Sequence, residues 1–132
     1  MSFVYYNPNP LKRSAGDCVI RALCLLNGED WETNYIALTH QGFVMCDMPS
    51  SNRVWENYIR QEGYRKRVLP DDCPACYCVR EFCEHHPQGK YLLALDGHVV
   101  GVLNGNYYDT WDCGDDVPMY YWEKEHSYES YY

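Results

Sequence analysis

The sequence predicts an α+β fold, with N-terminal helices packed on a C-terminal antiparallel β-sheet in one domain over residues 1–132. Three observations carry this reading. Apolar residues recur at helical spacing from Cys18 to Ile59, and β-type runs take over after Gly89. Those runs are divided by Asp96-Gly97 and Asn104-Gly105, the strongest short hairpin signals. The chain of 132 residues is 46% hydrophobic and 23% charged, the composition of a globular domain rather than a disordered one.

Taken in order, residues 1–15 contain Asn7-Pro8-Asn9-Pro10, whose prolines impose extended or turn geometry, and an irregular lead-in is expected there. The run from Cys18 to Leu26 is apolar on nearly every side. Asp17 stands at its N-cap and Gly28 at its C′ position, predicting a buried helix with Cys18 in the first turn. Asp30 caps a second helix, where Trp31, Tyr35 and Leu38 share a face, and its end is expected near His40. After the Gly- and Pro-containing stretch from Gln41 to Pro49, Ser51 caps a third helix. Val54, Trp55, Tyr58 and Ile59 share one side of it, and Gly63 stops it. Tyr64 to Leu69 reads as a short strand, Asp71 to Tyr77 as a loop, and Val79 to His86 as a two-turn helix ended by Pro87-Gln88-Gly89. Tyr91–Leu95, His98–Leu103 and Tyr107–Trp111 then form an antiparallel meander. A last strand is expected from Pro118 to Glu123, and the tail 127–132 is expected to fray.

The charge balance narrows the partners. Against 19 Asp and Glu stand 11 Lys and Arg, a formal charge of −8, and the longest basic run is Arg65-Lys66-Arg67. A phosphate-tracking surface needs clustered positive charge, so nucleic acid is excluded as a partner at this stage. No run approaches 18 apolar residues, and the N-terminus has neither a basic nor an apolar signal region, so a cytoplasmic protein away from the membrane is expected. The eight cysteines are then read as thiols, most of them small buried hydrophobes.

One of them has a chemical setting. A thiol in the first turn of a helix faces unpaired N–H groups and the positive end of the dipole, which favour the thiolate, and Cys18 is so placed. His98 opens a strand of the sheet that this helix must cover, making Cys18 and His98 a candidate nucleophile and base. Two carboxylates, Asp109 and Asp112, lie within reach of the imidazole. A two-residue type I′ turn at Asn104-Gly105 sets Leu103 opposite Asn106 and Val100 opposite Asp109, so Asp109 shares the face of His98 as a diagonal neighbour. A three-residue loop would bring Asp112 opposite His98 instead. The Asn-Gly pair favours Asp109.

Gly16-Asp17-Cys18 opening an apolar helix, followed by Gly97-His98-Val99-Val100-Gly101-Val102 and Tyr108-Asp109-Thr110-Trp111, resembles the papain-like cysteine peptidase superfamily in its small bacterial and phage-type forms. Asp109-Thr110-Trp111 is similar to the Asn-Ser-Trp of papain, where the amide orients the histidine and the indole shields that bond. The resemblance spans roughly a quarter of the chain. It implies a papain-like fold and a cysteine peptidase or related amidase, with Cys18 attacking a carbonyl of a protein or peptide substrate, His98 moving the proton and Asp109 orienting His98. It implies no cofactor and no metal. The Cys18 backbone N–H would supply half of an oxyanion hole. For the other half, papain-like enzymes commonly place a Gln six residues before the nucleophile; Lys12 stands there, with Asn7 and Asn9 as the nearest amides.

Two other readings compete. Cys73, Cys76, Cys83 and His85 have zinc-ligand types at crowded spacing, whereas Cys73-Pro74-Ala75-Cys76 lacks the βαβ surroundings of a thioredoxin-like site. The other reading is a papain-like scaffold without turnover that binds a protein partner through its acidic, aromatic surface, rich in the chain's 14 Tyr and 4 Trp.

Overall fold

In a computed structural model, which describes residues 2–69 and 77–125, the chain folds as β1 (Phe3–Tyr5), α1 (Cys18–Asn27), α2 (Trp31–Met45), α3 (Asn52–Gln61), β2 (Tyr64–Val68), α4 (Val79–His85), β3 (Lys90–Leu95), β4 (His98–Leu103), β5 (Asn106–Asp109) and β6 (Tyr120–Lys124). The loop expected before Tyr77 and the tail expected to fray lie at or within residues outside that description. The α+β class stands, and the β3-β4-β5 meander is antiparallel with Leu103 opposite Asn106 and Gly101 opposite Tyr108. Asn104 and Gly105 both adopt positive φ, 51° and 81°, as a two-residue type I′ turn requires.

The sheet departs from the expectation in three ways. Its order is β1-β5-β4-β3-β6-β2, so it draws strands from the whole chain rather than from the C-terminal half. The lead-in is not wholly irregular: Phe3-Val4-Tyr5 pairs in parallel with β5, which makes the sheet mixed. Three β-forming residues before the prolines suffice for a short edge strand, and the Phe3 ring packs on Tyr107 with centroids 5.7 Å apart. The last strand does not extend the meander but inserts between β3 and β2, which buries Trp122 completely.

The second helix also runs past His40, to Met45. Gly42 continues it because a Cβ there would lie 2.8 Å from the Asp47 carbonyl oxygen; this glycine allows a close approach instead of breaking the helix. Cys46, in the left-handed conformation at φ 55°, ends the helix, and the Asp47 N–H bonds back to the Gly42 carbonyl. Ser51 holds the N-cap position of α3, yet its hydroxyl bonds Asp47 rather than the helix.

Two apolar clusters form the core. One joins α1, α2 and α3 to Leu92, Val99 and Trp122; the other joins Val79, Phe82 and Cys83 of the α4 region to Leu93, Val100, Val102 and Tyr107. The alternation Leu92/Leu93 and Val99/Val100 shows that the sheet is covered on both faces. Helix α1 lies close on β4 because Gly101 has no side chain: a Cβ would sit 2.8 Å from Leu25 Cδ2 and 3.5 Å from Ala22 Cα. From Cys18 to Ala22 the helix rises about 6 Å. From Val99 to Gly101 the strand advances about 7 Å. With Ala22 against Gly101, the first residue of α1 therefore falls beside the start of β4.

Candidate active site

Cys18 is the first residue of α1 and is half-buried. The N-cap residue Asp17 makes no side-chain cap bond to the helix. Its carboxylate is used elsewhere, accepting from Arg21 Nη1 at 2.7 Å and from the Trp31 indole N–H at 2.9 Å. The first-turn N–H groups are thus left without a side-chain cap at the helix end that carries the thiol. Burial raises the Cys18 pKa, but the His98 imidazole, the Val99 backbone N–H and the Arg21 charge outweigh it and hold the thiol below its ordinary value.

His98, Asp109 and Cys18 come together. The imidazole meets Asp109 through Nε2, at 2.6 Å from Oδ2, which leaves Nδ1 as its second titrating atom. Burial disfavours the imidazolium, yet hydrogen bonds to Asp109 and to Cys18 reverse this and raise the His98 pKa from 6.5 to about 9. Asp109 is 1% exposed. Burial would neutralise it, but His98, the Thr110 N–H and Arg21 hold it below the usual carboxylate range. Its Oδ1 accepts from Arg21 Nη2 at 3.0 Å and from the Thr110 N–H at 2.7 Å, while its Oδ2 faces His98 and the Cys113 thiol. Asp112 is not part of this group: it accepts from the Tyr107 hydroxyl at 2.6 Å and the Gly114 N–H at 2.9 Å, and it faces Arg80. The Trp111 ring lies against His98, with centroids 5.2 Å apart, and is 47% exposed on its other side.

The thiol and the imidazole open into a cleft of about 1040 Å³ between the helices and the end of the sheet. Trp31, Tyr35, Leu38 and Trp55 of the helices line it, as do Leu95, Asp96, Gly97 and Trp111 from the sheet's strand ends and turns. Asn9 also lines it, and its Oδ1 accepts from the Leu11 N–H at 2.8 Å, so a donor role toward the cleft falls to Nδ2. Asn7 is occupied within the lead-in, donating to the Arg13 carbonyl and accepting from the Asn9 N–H. Lys12 reaches back to the Asn7 carbonyl at 2.8 Å.

No family model, curated protein or solved structure matches the chain. The chemistry of the site therefore rests on its own geometry.

Among the zinc candidates, Cys73 and Cys76 lie outside the described residues. Cys83 is fully buried in the second apolar cluster, and burial pushes its pKa up to about 12. His85 stacks on Tyr77. Among the described residues, the grouping with metal-ligand atoms is His98, Asp109 and Cys113, and the first two are already bonded to each other. Sequence reasoning read Asp17 as a helix cap and Trp31 as part of a helix face and missed Arg21, although an Asp at the N-cap and an Arg four residues on in an otherwise apolar helix signal a buried ion pair.

Proposed function

We propose that this chain is a thiol-dependent acyl-transfer hydrolase of the papain-like type, acting on a protein or peptide bond. The observation that carries the reading is one imidazole bonded at Nε2 to a buried carboxylate and set against a helix-terminal thiol of lowered pKa. In this reading the Cys18 thiolate attacks the substrate carbonyl carbon and its π pair moves to oxygen. The Cys18 N–H, with Asn9 Nδ2 from the cleft lining as its partner, receives that oxyanion. His98 gives its Nδ1 proton to the leaving amine as the C–N bond breaks, leaving a thioester on Cys18. Water then attacks the thioester; His98 takes its proton, and the thiolate leaves as the carboxylic acid forms. Asp109 keeps the ring orientation and stabilises the imidazolium throughout.

The test is incubation with an activated acyl ester, followed by mass spectrometry of the quenched protein. An acyl group on Cys18 that turns over, and that is absent in His98→Ala, supports the reading; acylation spread over several thiols refutes it. A second reading, a protein-interaction module on the same scaffold, draws on Ile36, Phe43 and Val44, which stand exposed on α2. It requires that no acyl-enzyme forms.

A further inference from the structure

The proposed triad leaves one buried charge without a role. Arg21 is 7% exposed and bridges two carboxylates, Asp17 Oδ1 through Nη1 at 2.7 Å and Asp109 Oδ1 through Nη2 at 3.0 Å. It stands three residues after Cys18, on the same turn-to-turn face of α1, while Asp109 ends β5. The contacts close a ring: Cys18 to His98, His98 to Asp109, Asp109 to Arg21, and Arg21 along the helix back to Cys18. Within it the two oxygens of Asp109 are divided. Oδ1 is held by Arg21 and the Thr110 N–H, so Oδ2 is presented to His98, with the Cys113 thiol also donating to it at 3.5 Å.

We propose that Arg21 is a positioning residue of the site: it fixes the rotation of the Asp109 carboxylate so that Oδ2 meets His98, and it ties the turn bearing Cys18 to the strand bearing Asp109. This rests on the hydrolase reading of the same site. A guanidinium suits the task because its planar fork donates to two acceptors at once, which a single ammonium matches poorly. Asp17, anchored in turn by the Trp31 indole at 2.9 Å, holds the far side of the fork. The charged and titratable groups facing this ring are Asp17, Arg21, His98, Asp109 and Cys113. Without Arg21, two buried carboxylates would stand beside a thiol that must itself become negative.

The experiment is the pH dependence of iodoacetamide alkylation at Cys18 in the full chain, with acylation by the activated ester measured alongside. Arg21→Gln is expected to raise the Cys18 midpoint by about one pH unit, which lowers alkylation about tenfold below that midpoint. Arg21→Lys keeps a buried positive charge and so the fold; its midpoint should lie between those of Arg21→Gln and the unsubstituted chain, with acylation still slowed. Ile59→Ala, a core variant on α3 that contributes no group to the hydrogen-bonded ring, controls for lost stability and should leave the profile in place. If Arg21→Lys, and Arg21→Gln where it folds, only lower stability as Ile59→Ala does, with the Cys18 profile unmoved, Arg21 is a structural ion pair and the proposal is overturned. An ordinary thiol profile in the unsubstituted chain would instead overturn the hydrolase reading, and this inference with it.

Discussion

Replacing Asp109 by Asn removes the charge that holds His98 while keeping the shape of the side chain. In the folded protein His98 titrates at about 9 against an ordinary 6.5, a difference worth about 3 kcal/mol in favour of the imidazolium. Two bonds oppose burial in producing it, the Asp109 bond ahead of the Cys18 bond. The His98 side chain is 15% exposed, so solvent screens little of this. Asp109→Asn should therefore lower the His98 pKa by at least one pH unit, leaving Cys18 as its remaining partner against the same burial cost. The Asn can still accept from Arg21 and from the Thr110 N–H, so the loss of stability should stay at about 1–3 kcal/mol. Imidazole NMR titration reads the effect directly, with the His98 signal assigned by its loss in His98→Ala. A His98 pKa that stays near 9 in Asp109→Asn would refute the reasoning, because the shift would then arise from some group other than Asp109.

Other substitutions separate the parts of the account. Asp112→Ala should cost stability through the Tyr107 hydroxyl and the Gly114 N–H while leaving the Cys18 alkylation profile unmoved; a larger effect there than from Asp109→Ala would mean that the hairpin register does not select the carboxylate. Gly101→Val places carbon atoms against Leu25 and Ala22 and should push α1 off β4, at about 1–3 kcal/mol by chemical denaturation and with loss of selective Cys18 labelling. In Cys18→Ala, His98 keeps Asp109, and its still-raised pKa contributes stability that is complete below 6.5 and is lost as pH rises through a folded value lying below about 9, because the Cys18 bond no longer adds to it. In the unsubstituted chain, the lowered pKa of Cys18 works in the opposite sense, favouring the fold as pH rises, and offsets that loss. Denaturation curves across this window should thus fall with pH more steeply in Cys18→Ala; equal slopes would show that Cys18 and His98 do not share a proton.

The parts of this site that were legible in the sequence are those set by local backbone chemistry. Asn104-Gly105 can take positive φ at both turn positions, so the dipeptide dictates the hairpin register, and the register separates Asp109 from Asp112. Gly28, at φ 73°, likewise marks the end of the helix that carries Cys18. What the sequence did not reveal depends on pairing between distant segments. The three residues of β1 carry too little local signal to announce a parallel pairing with β5 about a hundred residues later. Nothing local tells β6 to pair with β3 and β2 rather than to extend the meander. Gly42 reads as a helix stop until the approach of the Asp47 carbonyl shows why only glycine fits there. Asp17 illustrates the same limit at the site itself: its position is that of an N-cap, but Arg21 and the Trp31 indole claim its carboxylate. A buried Arg offering donors on both sides competes better for that carboxylate than the helix N–H groups do.

The measurement that bears most directly on the central claim is the pH dependence of iodoacetamide labelling at Cys18, mapped by mass spectrometry, in the unsubstituted chain and in His98→Ala. The account predicts selective labelling of Cys18 at pH values well below the ordinary thiol pKa of about 8.5, lost in His98→Ala. Labelling of Cys18 no faster than that of the other thiols, or none before denaturation, would contradict it and leave Cys18 a structural residue.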